Sequence, residues 1–332
     1  MMKQNVLEVV YASNDGYARH LGVSLCSLLD RNQDMEEIRV HILSMGISGE
    51  NRARLQGLAD RYKRKLVFVE IENLEDRFDH PVDTGGYDIS IMLRLFMAEA
   101  LPEDLDRVLY LDCDTVVAHS LKHLWNVHLG DKIAGAVMEP TIYKEVKESI
   151  GLGPEDGYFN SGVLLVNLKK WREENIQEQL LEFWKEKGGK LFASDQDVIN
   201  GTLKGRILPL PPRYNFFTNY RYFYYSLLRV SPSYRAVTWA EFREAKRHPF
   251  VIHYMGDERP WIAGNLNHYR KAYERYLAQT EWVGTPKEKG KRLYMLAYHG
   301  LDYLTALCPP ARFAISRRMG MRFVENRKKD RK

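Results

Sequence analysis

The sequence predicts an α/β fold with a mainly parallel central sheet flanked by helices, followed by a small helical, basic C-terminal extension. Short apolar runs alternate with amphipathic stretches over most of the chain, the pattern of strand–helix–strand units. Polar residues with chemical potential follow directly on those runs, and open α/β sheets bind ligands beyond the carboxyl ends of their strands. The charge balance also changes near the C-terminus. Residues 287–332 hold 13 Lys or Arg against 4 Asp or Glu, while the preceding body is net acidic by 4. We therefore expect a body at 1–283 and an extension at 284–332.

Residues 6–11 (VLEVVY) form the first expected strand, and 17–29 a helix with Leu21, Leu25, Leu28 and Leu29 on one face. Residues 37–43 read as a strand, 48–62 as a helix and 66–70 as a third strand. A loop at 81–86 precedes a helix at 89–98, which leads through Leu101 and Pro102 to a buried strand at 108–111. A strand at 133–138 is followed by an irregular stretch at 141–157. A strand at 159–167, a helix at 169–187, a short helix at 195–203 and a strand at 207–210 come next. Pro209, Pro211 and Pro212 separate the last of these from an aromatic segment at 214–225. Residues 248–255 return to the strand pattern, 256–261 form a polar turn and 265–278 a helix. Beyond Gly284 only short, broken helices fit.

The 332 residues are 45% apolar and 28% charged, the composition of a soluble globular protein. The chain has no apolar run of transmembrane length. The N-terminal residues lack the pattern of a secretory signal. Cys26, Cys113 and Cys308 are too scattered for a disulfide framework or a zinc site, which suits a reducing cytoplasm. An acidic body argues against nucleic-acid binding.

The most informative segment is 107–117 (RVLYLDCDTVV), an apolar strand that runs into Asp112 and Asp114. Alternate residues share a side, so the two carboxylates can face one space while Cys113 turns into the packing. Like charges there repel unless a cation lies between them, and carboxylate oxygens suit magnesium or manganese. Other strand ends carry Asn14 and Gly16, Asn160-Ser161-Gly162, and His253 followed by Gly256 and Arg259. An imidazole can complete a metal site begun by two Asp, while a Gly N–H and an Arg fork suit a phosphate. Asp195, Gln196 and Asp197 open a helix, where a carboxylate can also serve as a cap.

These segments resemble glycosyltransferase family 8, whose members include glycogenin and bacterial lipopolysaccharide galactosyl- and glucosyltransferases. The resemblance spans about residues 6–283. It rests on residues 11–17 (YASNDGY), 109–114 (LYLDCD), 159–171 (FNSGVLLVNLKKW), 195–200 (DQDVIN) and 253–261 (HYMGDERPW).

The resemblance implies a GT-A fold that uses a UDP-sugar, UDP-galactose or UDP-glucose, with manganese or alternatively magnesium. It implies Asp112, Asp114 and His253 as metal ligands. Ala12, Asn14 and Gly16 would line the uridine pocket, with Tyr17 and Cys113 among the nucleotide contacts. Arg94 would contact the donor sugar and the Asp112 region, Asn160, Asp195 and Gln196 would surround the transferred sugar, and Gly256 and Arg259 would hold the diphosphate. Gly16 and Arg259 stand where a well-known bacterial galactosyltransferase of the family has Asn and Lys. The expected reaction retains the donor's configuration by front-face attack, with Glu139 a candidate to orient the acceptor. The expected acceptor is a glycan or glycolipid of the bacterial envelope, approached near residues 215–219.

Two other classes fit parts of the sequence. A non-catalytic sugar-nucleotide or glycan-binding protein could use the same scaffold. Residues 111–116 also match the Asp-x-Asp-x-Thr signature of haloacid-dehalogenase-type phosphatases, with Asp112 as nucleophile and Asp114 as general acid. The basic extension interleaves Leu301, Leu304, Leu307, Phe313, Ile315 and Phe323 with Arg312, Arg317, Arg318 and Arg322. That composition suits an anionic membrane surface, on the inner face of the cell membrane.

Overall fold

The computed structural model describes residues 6–84, 87–256, 259–290, 292–305, 307–308 and 310–319. Ten strands are found: β1 (Val6–Asn14), β2 (Glu37–Met45), β3 (Lys65–Glu70), β4 (Arg107–Leu111), β5 (Thr115–Val117), β6 (Ala134–Met138), β7 (Phe159–Asn167), β8 (Ile207–Leu210), β9 (Phe216–Phe217) and β10 (Val251–His253).

Seven of them form one sheet in the order β3-β2-β1-β4-β7-β6-β8. Every pairing in it is parallel except those of β7, which is antiparallel to both β4 and β6. This is the mainly parallel sheet expected from the alternation of elements. β1, β4 and β7 are buried on both faces, as near-continuous apolar strands between helices must be. A second sheet, β5-β10-β9, lies beside the first.

The reversal of β7 positions the site. Its N-terminal residues, not its C-terminal ones, arrive where β4 ends. Leu111 pairs with Val163, and the Asp112 N–H donates to the Gly162 carbonyl at 2.8 Å. The chain then turns through residues 112–114 into β5, where Thr115 pairs with His253. Asp112 and Asp114 thus sit where the large sheet hands the chain to the small one. A hydroxyl series supports the turn from below: Tyr11 Oη lies 3.0 Å from Ser24 Oγ, which lies 2.9 Å from Thr115 Oγ1. Thr115 in turn donates to the Asp112 carbonyl at 2.7 Å.

Several elements differ from expectation. Residues 89–96 form a 3-10 helix, and an α-helix follows at Met97–Ala100. The predicted helix at 169–187 is two, Leu168–Glu173 and Ile176–Glu186, broken at Asn175 in the left-handed conformation (φ 49°). The stretch 141–157 contains a helix, Lys144–Ser149. Strand structure within 248–255 is confined to β10.

The C-terminal part forms a helix at Arg292–Leu304 and a helical segment at 310–319. Before it, Ala263 and Glu288 pair N–H to carbonyl at 2.9 Å, and Gly290 lies against Ala263 so closely that a Cβ would meet its oxygen at 1.8 Å. The expectations for residues 85–86, for Asp257 and Glu258, and for 320–332, including Arg322 and Phe323, lie outside the described residues.

Candidate active site and metal centre

Asp112, Asp114 and His253 converge, each with a potential ligand atom within 4.8 Å of the others. His253 Nε2 stands 3.2 Å from Asp114 Oδ1 and 3.8 Å from Asp112 Oδ2. Burial disfavours the charged forms of Asp114 and His253. The mutual attraction of Asp114 and His253 outweighs it, so the carboxyl is held below, and the imidazole above, its ordinary value. Gly162 forms the floor. A Cβ there would fall 2.4 Å from His253 Cε1 and 2.6 Å from Asp112 Oδ2. Two hard carboxylates and one imidazole, drawn together against a residue that has no side chain to part them, fit a divalent cation.

Arg94 is the fixed cation of the site. It lies buried, stacks over the Tyr110 ring, and reaches Asp112 Oδ1 at 2.9 Å and Asp195 Oδ2 at 3.0 Å. It also donates to the Ser161 carbonyl at 2.8 Å. Tyr110 Oη donates to the same Asp112 oxygen at 2.9 Å. Asp195 is therefore not a helix cap. Asp197, two residues on and within the first turns of the helix, reaches back to accept the Ala193 N–H at 2.8 Å. Burial pushes the Asp195 carboxyl up to about 6, against the pull of Arg94.

The side chain of Gln196 is fully engaged. Its oxygen accepts from Asn160 Nδ2 at 2.9 Å and Ser161 N–H at 3.1 Å, and its amide donates to Glu139 Oε2 and Tyr158 Oη, each at 3.1 Å. Asn160 Nδ2 also donates to Glu139 Oε2 at 3.0 Å. Burial raises the Glu139 carboxyl, with Asn160 and Gln196 pulling the other way.

On the β1 side, Asn14 Oδ1 accepts the Tyr17 N–H at 3.0 Å and so caps the turn that exposes Gly16. The Cys113 thiol is buried and donates to the Ala12 carbonyl at 3.2 Å, joining the ends of β1 and β4. Arg259 lies between the rings of Tyr87 and Trp261, and its Nε is buried with no hydrogen-bond partner among the described residues. Burial works against its charge, and Tyr17 and Asp114 nearby outweigh that and hold the guanidinium above its ordinary value. Gly256 is in the left-handed conformation (φ 67°), which a side chain would strain.

The structure thus draws together Arg94, Asp112, Asp114, Asn160, Asp195, Gln196 and His253. Ala12 and Cys113 border the same turn. Sequence reasoning set residues 215–219 near the site only as an acceptor approach; it missed the contacts of Asn215 with Asn160 and His253 and the place of Tyr158 in this network. Tyr158 heads an apolar strand and reads as core, and the polarity of Asn215 among the eight aromatics of 214–225 is its one local mark.

Comparison with known proteins agrees with this geometry. Residues 8–264 match glycosyl transferase family 8. The chain belongs to that family. General stress protein A of Bacillus subtilis (strain 168) is 26% identical over 291 residues, 86% of this chain and 99% of that protein. Lipopolysaccharide 1,2-glucosyltransferase of Escherichia coli (strain K12) is 26% identical over 279 residues, 83% of this chain and 79% of that one. A crystal structure of the galactosyltransferase LgtC with donor and acceptor sugar analogs superposes with a TM-score of 0.71 at 30% identity, covering 84% of this chain and 98% of that one. The fold is therefore GT-A, and this family 8 chain is a glycosyltransferase related to bacterial lipopolysaccharide sugar transferases. Membership in the family leaves no support for the phosphatase reading of Asp112 and Asp114.

Proposed function

We propose that the protein transfers galactose or glucose from a UDP-sugar, with retention of configuration, to a glycan or glycolipid acceptor of the bacterial envelope. The observation that carries this reading is the meeting of Asp112, Asp114 and His253, with Asp112 and His253 packed against Gly162 where a side chain would displace them. The names of related lipopolysaccharide gluco- and galactosyltransferases support the sugar and acceptor classes.

A manganese or magnesium ion held by these three residues would neutralise the diphosphate of the leaving UDP. The protein's own part is to orient the donor. Arg259, with an unmatched N–H, supplies charge for the diphosphate, and Gly256 brings a backbone N–H towards it. Asn14, Gly16, Tyr17 and the Ala12–Cys113 junction form the uridine side. Arg94 holds Asp195 where an ionised carboxylate can accept sugar hydroxyls.

Gln196 is a poor nucleophile here, because the oxygen and the nitrogen of its amide are both engaged in hydrogen bonds within the protein. This favours front-face attack by the acceptor hydroxyl, with Glu139 and Asn160 lining that side. The acceptor would approach near residues 215–219.

The C-terminal helices support a peripheral location at an anionic membrane. In Arg292–Leu304 the buried face is Met295, His299 and Asp302, whereas Leu293 (83% exposed) and Leu304 (82%) point outward, as does Leu307 (95%) beyond it. Exposed Arg317 and Arg318 lie in the next segment. Among the described residues no helix is long and apolar enough to cross a membrane. Measurement of UDP release from UDP-galactose and UDP-glucose, with and without manganese and with an acceptor array, tests the proposal. Metal-independent turnover, or binding without transfer to any sugar, would overturn it.

A further inference from the structure

Gly162 carries a backbone N–H, a group that can only donate, and it donates to Asn160 Oδ1 at 2.9 Å. That contact fixes which end of the Asn160 amide is oxygen. Its other end must then be the NH2, which faces acceptor oxygens on Glu139 and Gln196. Asn215 meets the same Asn160 oxygen at 2.8 Å and can do so only through its own NH2. The Asn215 oxygen is thereby turned to His253 Nδ1, 2.9 Å away. An oxygen accepts only, so Nδ1 must carry hydrogen. The lone pair of the neutral ring then lies on Nε2, the nitrogen that faces Asp112 and Asp114.

All three side chains are buried, with Asn215 at 1% exposure, Asn160 at 5% and His253 at 3%, so water offers no easy substitute. The elements that hold them are distinct: Asn160 stands on β7, Asn215 ends the 3-10 helix Pro212–Asn215, and His253 ends β10.

We propose that Asn215, oriented through Asn160 by the Gly162 N–H, is the positioning residue that holds His253 in its Nδ1–H tautomer and aims Nε2 at the carboxylate pair. The partner of the outer nitrogen of a metal-binding histidine sets its tautomer and ring orientation, and loss of such a partner weakens metal affinity about 10- to 100-fold. The assignment gives Asn160 a second duty, as part of the metal-ligand scaffold beside its place at the sugar side. It rests on the reading of Asp112, Asp114 and His253 as metal ligands.

Histidine-selective 15N NMR of the metal-free protein at alkaline pH, where the ring is neutral, reads the tautomer directly. We expect the proton on Nδ1 in the native protein and loss of that preference in Asn215→Leu. Manganese titration with saturating UDP should show roughly 10- to 100-fold weaker binding for Asn215→Leu. Asn215→Asp retains an acceptor for Nδ1–H and should recover the tautomer. Its second oxygen, set against Asn160 Oδ1 where the amide donated, leaves the affinity between those of the native protein and Asn215→Leu. A native ring protonated on Nε2 overturns the proposal, as does an Asn215→Leu variant with native tautomer and native affinity. The first test needs no variant, so misfolding of Asn215→Leu cannot shield the proposal. A native protein with the Nδ1–H tautomer that fails to bind manganese would instead overturn the metal reading and leave the positioning role standing.

Discussion

Gly162 and His253 stand so close that the smallest side chain at position 162 would overlap the imidazole, with a Cβ 2.4 Å from Cε1. The same Cβ would lie 2.6 Å from Asp112 Oδ2, so it would intrude on two of the three candidate ligands at once. Gly162→Ala is therefore expected to weaken manganese binding by at least about 100-fold. The displaced atoms are side-chain ends and can move aside, so the fold should persist. Calorimetric manganese titration and thermal unfolding of the same sample check both halves.

Asp114→Asn keeps the shape of the site and removes a negative charge. It should eliminate manganese-dependent UDP binding and most turnover, which titration of UDP with and without manganese will show. Undiminished metal-dependent binding would rule out the assigned ligand set.

Asp195 makes the stability of the metal-free protein depend on pH. Its folded-state value, about 6, lies above the ordinary value of 3.8. Its contribution is thus fully present below about 3.8 and is lost as pH rises through about 6. A shift of this size corresponds to roughly 3 kcal/mol. Denaturant unfolding of the native protein and Asp195→Asn should show the native advantage falling across this window. Parallel curves would refute the assignment.

Arg259 carries an N–H that the described residues leave unmatched. Arg259→Ala should raise KM for the UDP-sugar about tenfold or more, in line with the loss of one charge-assisted hydrogen bond. Arg259→Lys should recover part of it, because it restores charge without the planar fork. Steady-state kinetics with varied donor separate the cases.

The outward leucines of the helix Arg292–Leu304 predict binding to vesicles of anionic, not neutral, lipid, weakened by salt. Leu293→Glu with Leu304→Glu should abolish sedimentation with such vesicles. A truncation for the same purpose belongs after Gly290, because Glu288 pairs with Arg19 and with the backbone at Trp261 and Ala263.

NMR of the anomeric coupling in the transfer product is expected to show the α configuration of the donor. A β linkage would overturn the retaining mechanism and leave the fold assignment intact.

Much of the large sheet was legible because its strands are continuous apolar runs, and β7 and β8 were read to their observed ends. The carboxylate pair was legible because charge at the end of such a run requires an explanation. What escaped has little local signal. β9 is only Phe216–Phe217, too short for any periodicity. The break at Asn175 needs a left-handed residue, which asparagine permits but does not announce. The direction of β7 is a tertiary property, and the polarity of the Asn215–Asn160 pair exists only once β7, β10 and the segment between them are assembled. The helix Arg292–Leu304 misleads in another way. Leu293, Leu296 and Leu304 face outward while Met295 shares the buried face with His299 and Asp302, so periodicity identifies the helix but not the side that packs.

The candidate ligands are divided between two sheets: Asp112 and Asp114 leave the end of β4, whereas His253 closes β10 in the small sheet. A bound ion would therefore act as a rivet across that seam. Opening of the small sheet alone would have to break it, so its protection against hydrogen exchange should rise with ion concentration. At 100 times the dissociation constant the added resistance is about 2.7 kcal/mol. Amides of β5 and β10 would register it first, while the β2–β3 edge, far along the large sheet, would respond only when the whole molecule unfolds.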